Sequence, residues 1–363
     1  MTRCLWLLVL FAACSTKPDF NSKVDQYFAQ VLPKGEPGGA VLVMKDSNVV
    51  FSKAYGLADL KTQEAITTKT LFNLGSISKT FVSNAILILQ KQGKLSVEDS
   101  LIKYFPNFKN KDIARKVKIK HLLTHTSGLP DIRQVSKDSV FYLTAKDAEN
   151  WYPITQAETL EFEPGTQFHY SNPAFNALAL IIEQVTGKKW QDYVRETILI
   201  PSGMKTTTIT DGDQPSSGVS HAYTMIQRQW QEDDYGEEPT FCAAGNGGVW
   251  SSIEEMRLYE LALRKGTFLD KASIDESRTI KTFPNWSGEK PPAIGWSWFI
   301  GQTLDSLKTI GHTGSQGGFQ ANYVSIPEKK ILFVVLCNGP RDLDAATQQV
   351  GAWVKEAEYF DKK

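Results

Sequence analysis

Residues 71–79 read LFNLGSISK and join a short strand-like segment to the start of a long apolar helix. Apolar side chains recur every three or four residues from Ser76 to Lys91, and Gly93 follows, so a helix is predicted here. Three residues are nearly one helical turn, which places Ser76 and Lys79 on the same face. The serine lies at the predicted helix N-terminus, where backbone N–H groups are unpaired and the helix dipole favours negative charge.

Ser76 and Lys79 have the composition of a nucleophile and its base. When a serine attacks a carbonyl, an oxyanion forms, and a backbone N–H at the helix start can stabilise it. Lys79 can remove the serine proton only if its amine is neutral. An unperturbed lysine has a pKa of about 10.4, and lowering it to about 7 requires roughly 4–5 kcal/mol of desolvation and neighbouring charge. We therefore expect a buried cleft around Lys79.

The Ser-x-x-Lys spacing alone is weak, because it occurs four times and roughly one or two matches are expected by chance. Two of the serines lie beside glycine with proline or tryptophan, which indicates turns, and one follows an acidic segment typical of a solvated helix start. Only Ser76 follows a strand-like segment and opens an apolar helix. The four pairs are Ser76/Lys79, Ser100/Lys103, Ser202/Lys205 and Ser287/Lys290.

Two further motifs follow along the chain. Residues 170–172, Tyr-Ser-Asn, are the only Tyr-x-Asn among twelve tyrosines. Residues 312–314, His-Thr-Gly, come directly after a strand-like segment at 307–310. Taken alone, the first motif could be an ordinary buried tyrosine followed by an Asn-Pro turn. Its order after the serine–lysine pair favours a catalytic interpretation.

A Ser-x-x-Lys, a Tyr-x-Asn and a basic residue before Thr-Gly, in this order, resemble the pattern of serine β-lactamases and penicillin-binding proteins. Because tyrosine leads the second motif, the chain is most similar to the class C β-lactamase and DD-peptidase branch, which includes esterases and D-aminopeptidases. The resemblance covers about residues 20–345. It includes residues 119–130, 163–165 and 243–252, which are similar to other segments of the family.

The resemblance implies a role for each catalytic residue. Ser76 would be the nucleophile that becomes acylated, and Lys79 would be its base. Tyr170 would pass protons to the leaving group and later activate water. The family pattern carries no metal and no organic cofactor, so none is expected.

The resemblance also implies how substrate is held. Asn172 would hold the base and the substrate amide. Thr313 and Gly314 would line the strand edge on which the substrate docks. The N–H of Ser315 would complete the oxyanion hole with that of Ser76.

His312 bears on the choice of substrate. Many β-lactamases of this family have lysine here, a permanent positive charge suited to the β-lactam carboxylate. An unperturbed histidine, with a pKa of about 6.5, is mostly neutral at pH 7, so that attraction is weaker. Some DD-peptidases and esterases of the family also have histidine. We therefore expect a preference for a peptide or an ester.

The sequence thus predicts a serine hydrolase that acts through a covalent acyl-enzyme on D-amino-acid peptides, β-lactams or esters. Its expected partner is a small-molecule or peptide acyl substrate. The alternative is a non-catalytic protein of the same fold that binds cell-wall peptides or penicillin. A base and a proton shuttle together favour the enzyme. The acyl group, hydrolysis against transfer, and the oligomeric state are left open.

Strand and helix signals predict an α/β, β-lactamase/transpeptidase-like fold: an antiparallel sheet flanked by helices, with a mostly helical insertion lobe. Apolar runs around a turn at 46–48 predict a hairpin, and strand signals return at 309–311, 319–326 and 331–338. A serine hydrolase domain is predicted over 20–345. Its α/β lobe would comprise about 20–95 and 240–363, and its helical lobe about 96–239.

The N-terminus predicts export. Residues 1–14 resemble a signal peptide that ends in a lipoprotein-type Cys14, with an apolar run of nine residues that is too short to span a bilayer. A plain signal peptide is the alternative. The expected location is the periplasm or cell envelope, with the membrane reached only through a lipid on Cys14. Cys337 lies in an apolar, strand-like run and is expected to be buried, so no disulfide with Cys242 is predicted.

Composition excludes several other classes. Lysine and arginine equal aspartate and glutamate at 40 each, with a pI near 7, so the basic excess of a nucleic-acid-binding protein is missing. Hydrophobic residues are 41% and charged residues 22%, which is ordinary for a globular protein. His121 and His125 have the spacing of metal ligands, but no third ligand is near in sequence and the residues between them are leucines. No metal site is predicted.

Overall fold

The central sheet contains six antiparallel strands. The computed structural model describes residues 19–133, 144–210, 215–232, 244–290, 292–303 and 306–356. The strands are β1 (Gly39–Lys45), β2 (Asn48–Tyr55), β3 (Phe299–Gln302), β4 (Lys308–Gln316), β5 (Phe319–Ile326) and β6 (Ile331–Cys337). Their spatial order is β3-β4-β5-β6-β1-β2, so the first two strands of the chain complete a sheet begun by the last four.

The apolar runs in the sequence become the middle strands of this sheet. β1 pairs with β6 in a register that sets Val41 opposite Val335, and both strands are buried along almost their whole length. Burial on both faces explains why these segments are continuously apolar instead of alternating. The predicted hairpin between β1 and β2 is confirmed, with Asp46 at a φ of 56° in its two-residue turn.

Helices cover both faces of the sheet. The five longest are α1 (Phe20–Val31), α2 (Ser78–Lys91), α3 (Asn172–Thr186), α4 (Ile253–Lys265) and α5 (Leu343–Glu356). Leu42 and Val334 point to the larger core, shared with α2, α3 and α4. Val41 and Val335 point to the opposite face, where α1 and α5 pack. The alternation of strand side chains therefore builds two cores from one sheet.

Shorter helices and strands lie along the chain between β2 and β3. Short helices lie at Lys111–Lys116, Ile119–Leu123, Asp147–Thr155, Trp190–Val194, Ile200–Ser202 and Lys271–Ser277. Short strands lie at Leu57–Asp59, Glu64–Ala65, Phe72–Asn73, Thr208–Ile209, Tyr223–Ile226, Gln229–Glu232 and Val249–Ser251. The predicted architecture, an antiparallel sheet flanked by helices, is confirmed. The predicted domain and lobe boundaries stay predictions.

The structure adjusts several predicted elements. The helix predicted from Ser76 begins at Ser78, because residues 75–77 form a 3₁₀ turn. The strand predicted at 309–311 extends over 308–316. The hairpin at 223–232 has no counterpart among the predictions, because its strands are short and largely exposed and so lack an apolar pattern.

The N-terminal predictions fall on residues outside the structural description, as do Cys14 and Cys242. No helix within the described ranges is long and apolar enough to cross a membrane. Cys337 is fully buried in β6, as predicted, and is a free cysteine.

Candidate active site

Ser76 lies in a tight turn between a buried strand and α2. The turn is the 3₁₀ segment 75–77, and Gly75 has a φ of 50°, in the region that favours glycine. The Asn73 side chain accepts a hydrogen bond from the Gly75 N–H at 2.8 Å, which fixes the entry to the turn. Ser76 is partly exposed, whereas Ser78 and Lys79 behind it are buried. The turn therefore presents one hydroxyl at the surface of an otherwise closed segment.

Lys79 lies directly beneath Ser76. Its amine is fully buried, and Nζ is 2.9 Å from Ser76 Oγ and 2.7 Å from the carbonyl oxygen of Asn246. Burial, and secondarily the nearby Arg133 guanidinium, hold the pKa of Lys79 well below its usual range. The structure thus brings the two residues together as the spacing predicted. It favours the neutral amine that a base requires.

Strand β4 presses against the serine turn. A Cβ built on Gly75 would lie 2.6 Å from Ser315 N, and one on Gly314 would lie 2.0 Å from Leu74 O and 3.3 Å from Ser76 N. These approaches leave no room for side chains and place Ser315 N beside Gly75 and Ser76 N beside Gly314. Pairing of β4 with β3 ends at Gly311, so the strand continues beyond its neighbour as an edge beside the serine. The predicted oxyanion hole and docking edge are geometrically possible here.

Tyr170 is positioned by an aromatic stack. Its ring lies 4.2 Å from the His125 ring and 6.5 Å from the Phe299 ring, with Lys79 Nζ 5.2 Å from its centroid. The Ser171 N–H donates to His125 Nδ1 at 3.0 Å, so the neutral ring carries its proton on Nε2. Tyr170 is 36% exposed, which leaves it open to the cleft.

His125 is a residue whose role sequence reasoning missed. The i, i+4 spacing of His121 and His125 suggested a metal only to be set aside. In the structure His121 Nδ1 instead accepts from Lys118 N at 3.1 Å. Among the described residues, no cluster of three or more potential ligands is arranged for a metal. His125 lies in the buried segment 119–130, which is similar to a segment of the family, and this similarity is the signal that could have indicated its role.

Asn172 is the first residue of α3 and lines the cleft, with Ser171 as the helix N-cap. Behind it lies a polar network that the sequence did not indicate. Asp147 Oδ1 accepts from Asn176 Nδ2 at 2.7 Å and from Gly245 N at 2.8 Å. Asn176 Nδ2 also donates to Asn246 Oδ1 at 3.0 Å. These bonds fix the segment whose carbonyl holds Lys79.

His312 is buried in β4 and packs 5.1 Å from the Phe299 ring. Its Nδ1–H donates to the Thr313 carbonyl at 2.6 Å. Burial, and then the nearby Lys79, lower the pKa of His312 to about 3, although the hydrogen bond to Thr313 opposes this. The imidazole is therefore more completely neutral at pH 7 than a histidine with an ordinary pKa would be.

The catalytic cleft has a volume of about 550 Å³. Every predicted substrate-binding position lines it, together with Ser76 and Tyr170. The lining also includes Asn172, Phe299, His312, Thr313, Gly314, Ser315, Arg341 and Asp344.

The antiparallel sheet, the serine turn and the buried lysine define the class of protein as the serine hydrolases with the β-lactamase/transpeptidase-like fold. The family model for β-lactamase matches residues 24–353, and the chain belongs to this family. It is a hydrolase of this serine family.

Similar proteins agree with that membership. The chain is 26% identical over 387 residues to a putative D-alanyl-D-alanine carboxypeptidase of Escherichia coli (strain K12), covering 94% of this chain and 88% of the relative. It is 27% identical over 323 residues to a D-aminopeptidase of Cereibacter sphaeroides, covering 86% and 59%. A penicillin-binding protein homologue from Pyrococcus abyssi, an octamer, superposes with a TM-score of 0.75 at 26% identity, covering 88% and 73%.

Proposed function

We propose that this protein hydrolyses the amide or ester bond of D-amino-acid compounds through an acyl-enzyme on Ser76. The observation that carries the proposal is the 2.9 Å contact between Ser76 Oγ and the fully buried amine of Lys79. A lysine in that position, with a lowered pKa, activates a serine as a nucleophile. The substrates named for the carboxypeptidase and aminopeptidase relatives support the choice of D-amino-acid compounds.

Acylation begins when Lys79 accepts the Ser76 proton and Oγ attacks the substrate carbonyl carbon. The new C–O bond places negative charge on the carbonyl oxygen, which the N–H groups of Ser76 and Ser315 would stabilise. The tetrahedral intermediate collapses and breaks the bond to the leaving amine or alcohol. Tyr170, 5.2 Å from the Lys79 amine at its ring centroid, would relay the proton to that group.

Deacylation reverses the same proton path. A water molecule gives its proton to the pair formed by Tyr170 and Lys79, and its oxygen attacks the ester carbonyl. Collapse of the second intermediate breaks the bond to Ser76 Oγ, which regains its proton. The acid product leaves, and the enzyme returns to its starting protonation state.

The cleft offers little positive charge to a substrate carboxylate. With a pKa of about 3, His312 stays neutral above pH 4 or so, unlike a lysine at that place. Arg341 also lines the cleft, but its guanidinium donates to the carbonyl oxygens of Val31 and Pro37 at 2.8 Å and lies 3.9 Å from the Glu36 carboxylate, which offsets its charge. We therefore expect β-lactam turnover to be weak compared with amide or ester hydrolysis.

The test compares D-alanine p-nitroanilide with its L isomer and with a penicillin, using wild type and Ser76→Ala. We expect the D isomer to be hydrolysed at least about tenfold faster than the L isomer. Loss of the nucleophile should lower that rate by at least about 10³-fold. Intact-protein mass spectrometry should show a substrate-derived adduct on wild type only.

A matched control is Ser100→Ala, which alters another Ser-x-x-Lys pair. Lys103 in that pair is half-exposed and forms an ion pair with Asp99 at 2.8 Å, unlike the buried Lys79, so Ser100 should be dispensable. Preference for the L isomer, or full activity of Ser76→Ala, would refute the proposal. Rapid penicillin turnover would refute the substrate assignment and leave the acyl-enzyme intact.

A further inference from the structure

A second cavity, which we call the outer groove, lies on the face of the central sheet that carries α1 and α5. Its volume is about 910 Å³, within the roughly 300–1,000 Å³ of small-molecule pockets. Its floor includes Thr309 of β4 and Val324 of β5, and its roof includes Val350 and Val354 of α5. The site described above uses none of these residues.

The groove exists because α5 covers β5 and β6 but leaves the outer face of β3 and β4 open. Gly301 of β3 is exposed, and a Cβ built there would meet only Thr309 Oγ1, at 2.9 Å, within 4 Å. At Gly311 a Cβ would lie 2.2 Å from Tyr323 O, so no side chain can stand there. Gly301 and Gly311, on neighbouring strands, therefore leave the floor of the groove without a side chain at these two positions.

The outer groove is continuous with the catalytic cleft. Phe299, His312, Thr313 and Asp344 line both cavities. Phe299 also forms the outer end of the stack on Tyr170, so it stands between the reacting centre and the groove. A group that extends from the Ser76 side past Phe299 enters the groove without crossing the sheet.

The chemistry of the lining selects the occupant. Most of the lining surface is apolar. Its charged side chains, Asp344, Lys355 and Glu356, all belong to α5 and lie exposed at the rim. A charged or strongly hydrated group gains nothing from such a floor, whereas an alkyl chain loses its contact with water there.

We propose that the outer groove binds an apolar chain attached to the scissile carbonyl of the substrate, so that acyl compounds with a medium or long alkyl chain are preferred. This inference rests on the proposed function, because the chain is held by a carbonyl that reaches Ser76. It adds a substrate determinant that lies outside the serine–lysine–tyrosine centre.

The experiment measures kcat/KM of the full chain with p-nitrophenyl acetate, butyrate and octanoate. A fully buried methylene is worth about fourfold in kcat/KM. Because the groove is open on one side, we expect about 30-fold from acetate to octanoate. Gly301→Leu and Thr309→Leu fill the floor and should reduce that ratio to about threefold or less, with acetate turnover unchanged.

Ser52→Leu is the matched control, since it adds the same side chain to an exposed position of β2 at the far edge of the sheet. It should leave the chain-length ratio as in wild type. A flat series in wild type, or an unchanged ratio in both filled variants, overturns the proposal. So does a dimer that Gly301→Leu dissociates while the ratio stays flat, because the groove would then hold a second copy of the chain.

A binding assay separates failure of the groove from failure of the proposed function. The fluorescence of N-phenyl-1-naphthylamine, a neutral apolar probe, should rise with wild type and with Ser76→Ala. It should rise much less with Gly301→Leu. If no ester is hydrolysed but this pattern holds, the proposed function is wrong and the apolar site is supported; an equal rise in all three proteins overturns the site.

Discussion

Two sites in the molecule contain a buried basic side chain, and they differ in whether a carboxylate forms an ion pair with it. In the first, the buried Arg278 and the partly exposed Arg264 donate to the fully buried Glu260 carboxylate at 3.0 and 2.8 Å. In the second, Lys79 donates to a hydroxyl and a carbonyl, and within the described residues no carboxylate forms an ion pair with it. Lys79 and Glu260 are equally buried.

The presence or absence of a carboxylate has opposite effects on the charge of the two sites. Burial alone would raise the pKa of Glu260, but Arg278 and Arg264 lower it to about 2, so the cluster stays charged. Burial of Lys79 meets only the additional positive charge of Arg133, so its pKa falls and the amine tends to be neutral. A buried charge with a partner holds structure, and a buried base without one is available for proton transfer.

The sharpest test of this contrast makes the second site permanently charged. Lys79→Arg keeps a cation beside Ser76 but cannot lose its proton, so we expect kcat for the D-alanyl substrate to fall by about 10⁴-fold. Steady-state kinetics at pH 7 and pH 9.5 check this, and the higher pH should restore nothing. Arg264→Lys, the parallel exchange in the Glu260 cluster, should change kcat less than about threefold. Comparable losses in both variants would contradict the comparison.

The next test removes the partner from the first site. Glu260→Gln leaves the buried Arg278 guanidinium and the partly exposed one of Arg264 without their carboxylate, and we expect the free energy of unfolding to fall by about 3–5 kcal/mol. Urea denaturation followed by tryptophan fluorescence measures it. At a temperature where the variant is folded, kcat should stay within about threefold of wild type.

Glu98→Gln provides the scale for that loss. Glu98 bridges Lys118 and Lys120 at 2.8 Å on the surface, and such exposed pairs are worth roughly 0–1 kcal/mol. An effect as small as this for Glu260→Gln would mean that the buried cluster is not a stabilising ion network.

The two sites could not be predicted equally well from the sequence. Ser76 and Lys79 are one turn apart in a single helix start, so their contact followed from local geometry. Glu260 accepts hydrogen bonds from Tyr323 and Ser325, which lie more than sixty residues further along the chain, and no short-range pattern connects them. The hairpin and the late strands were readable because their apolar runs are continuous. The stack on Tyr170 was not, because it requires His125 to arrive from a separate loop.

The substrate-binding positions show the same limit. His312, Thr313 and Gly314 were identified from a motif, but the edge they form depends on where the neighbouring strand stops pairing, at Gly311. Strand pairing of this kind is a property of the assembled sheet. The roles assigned to Tyr170, Asn172 and the oxyanion donors stay predictions.

The smallest effect concerns the other bases buried without an anion, the histidines around Lys79. The pKa of His312 is about 3 in the folded protein and about 6.5 in an unfolded chain. Between these values the unfolded state binds more protons, so stability falls as pH is lowered from 6.5. One histidine contributes up to about 1.36 kcal/mol per pH unit, which amounts to about 1.6 kcal/mol between pH 6.5, where the unfolded histidine is half protonated, and pH 5.

His312→Gln should remove that share of the pH dependence. Asp147 has the opposite effect on stability. Burial raises its pKa to about 7 in the folded state, so its contribution to the stability of the fold increases as pH falls. Only the difference between wild type and variant therefore isolates the histidine. Urea denaturation of both proteins at pH 6.5 and 5 gives this difference, and parallel curves would show that folding does not lower the pKa of His312. His312 would then carry the positive charge that suits a β-lactam carboxylate at pH values below its ordinary pKa of about 6.5, and the argument for a neutral substrate edge would fail in that range.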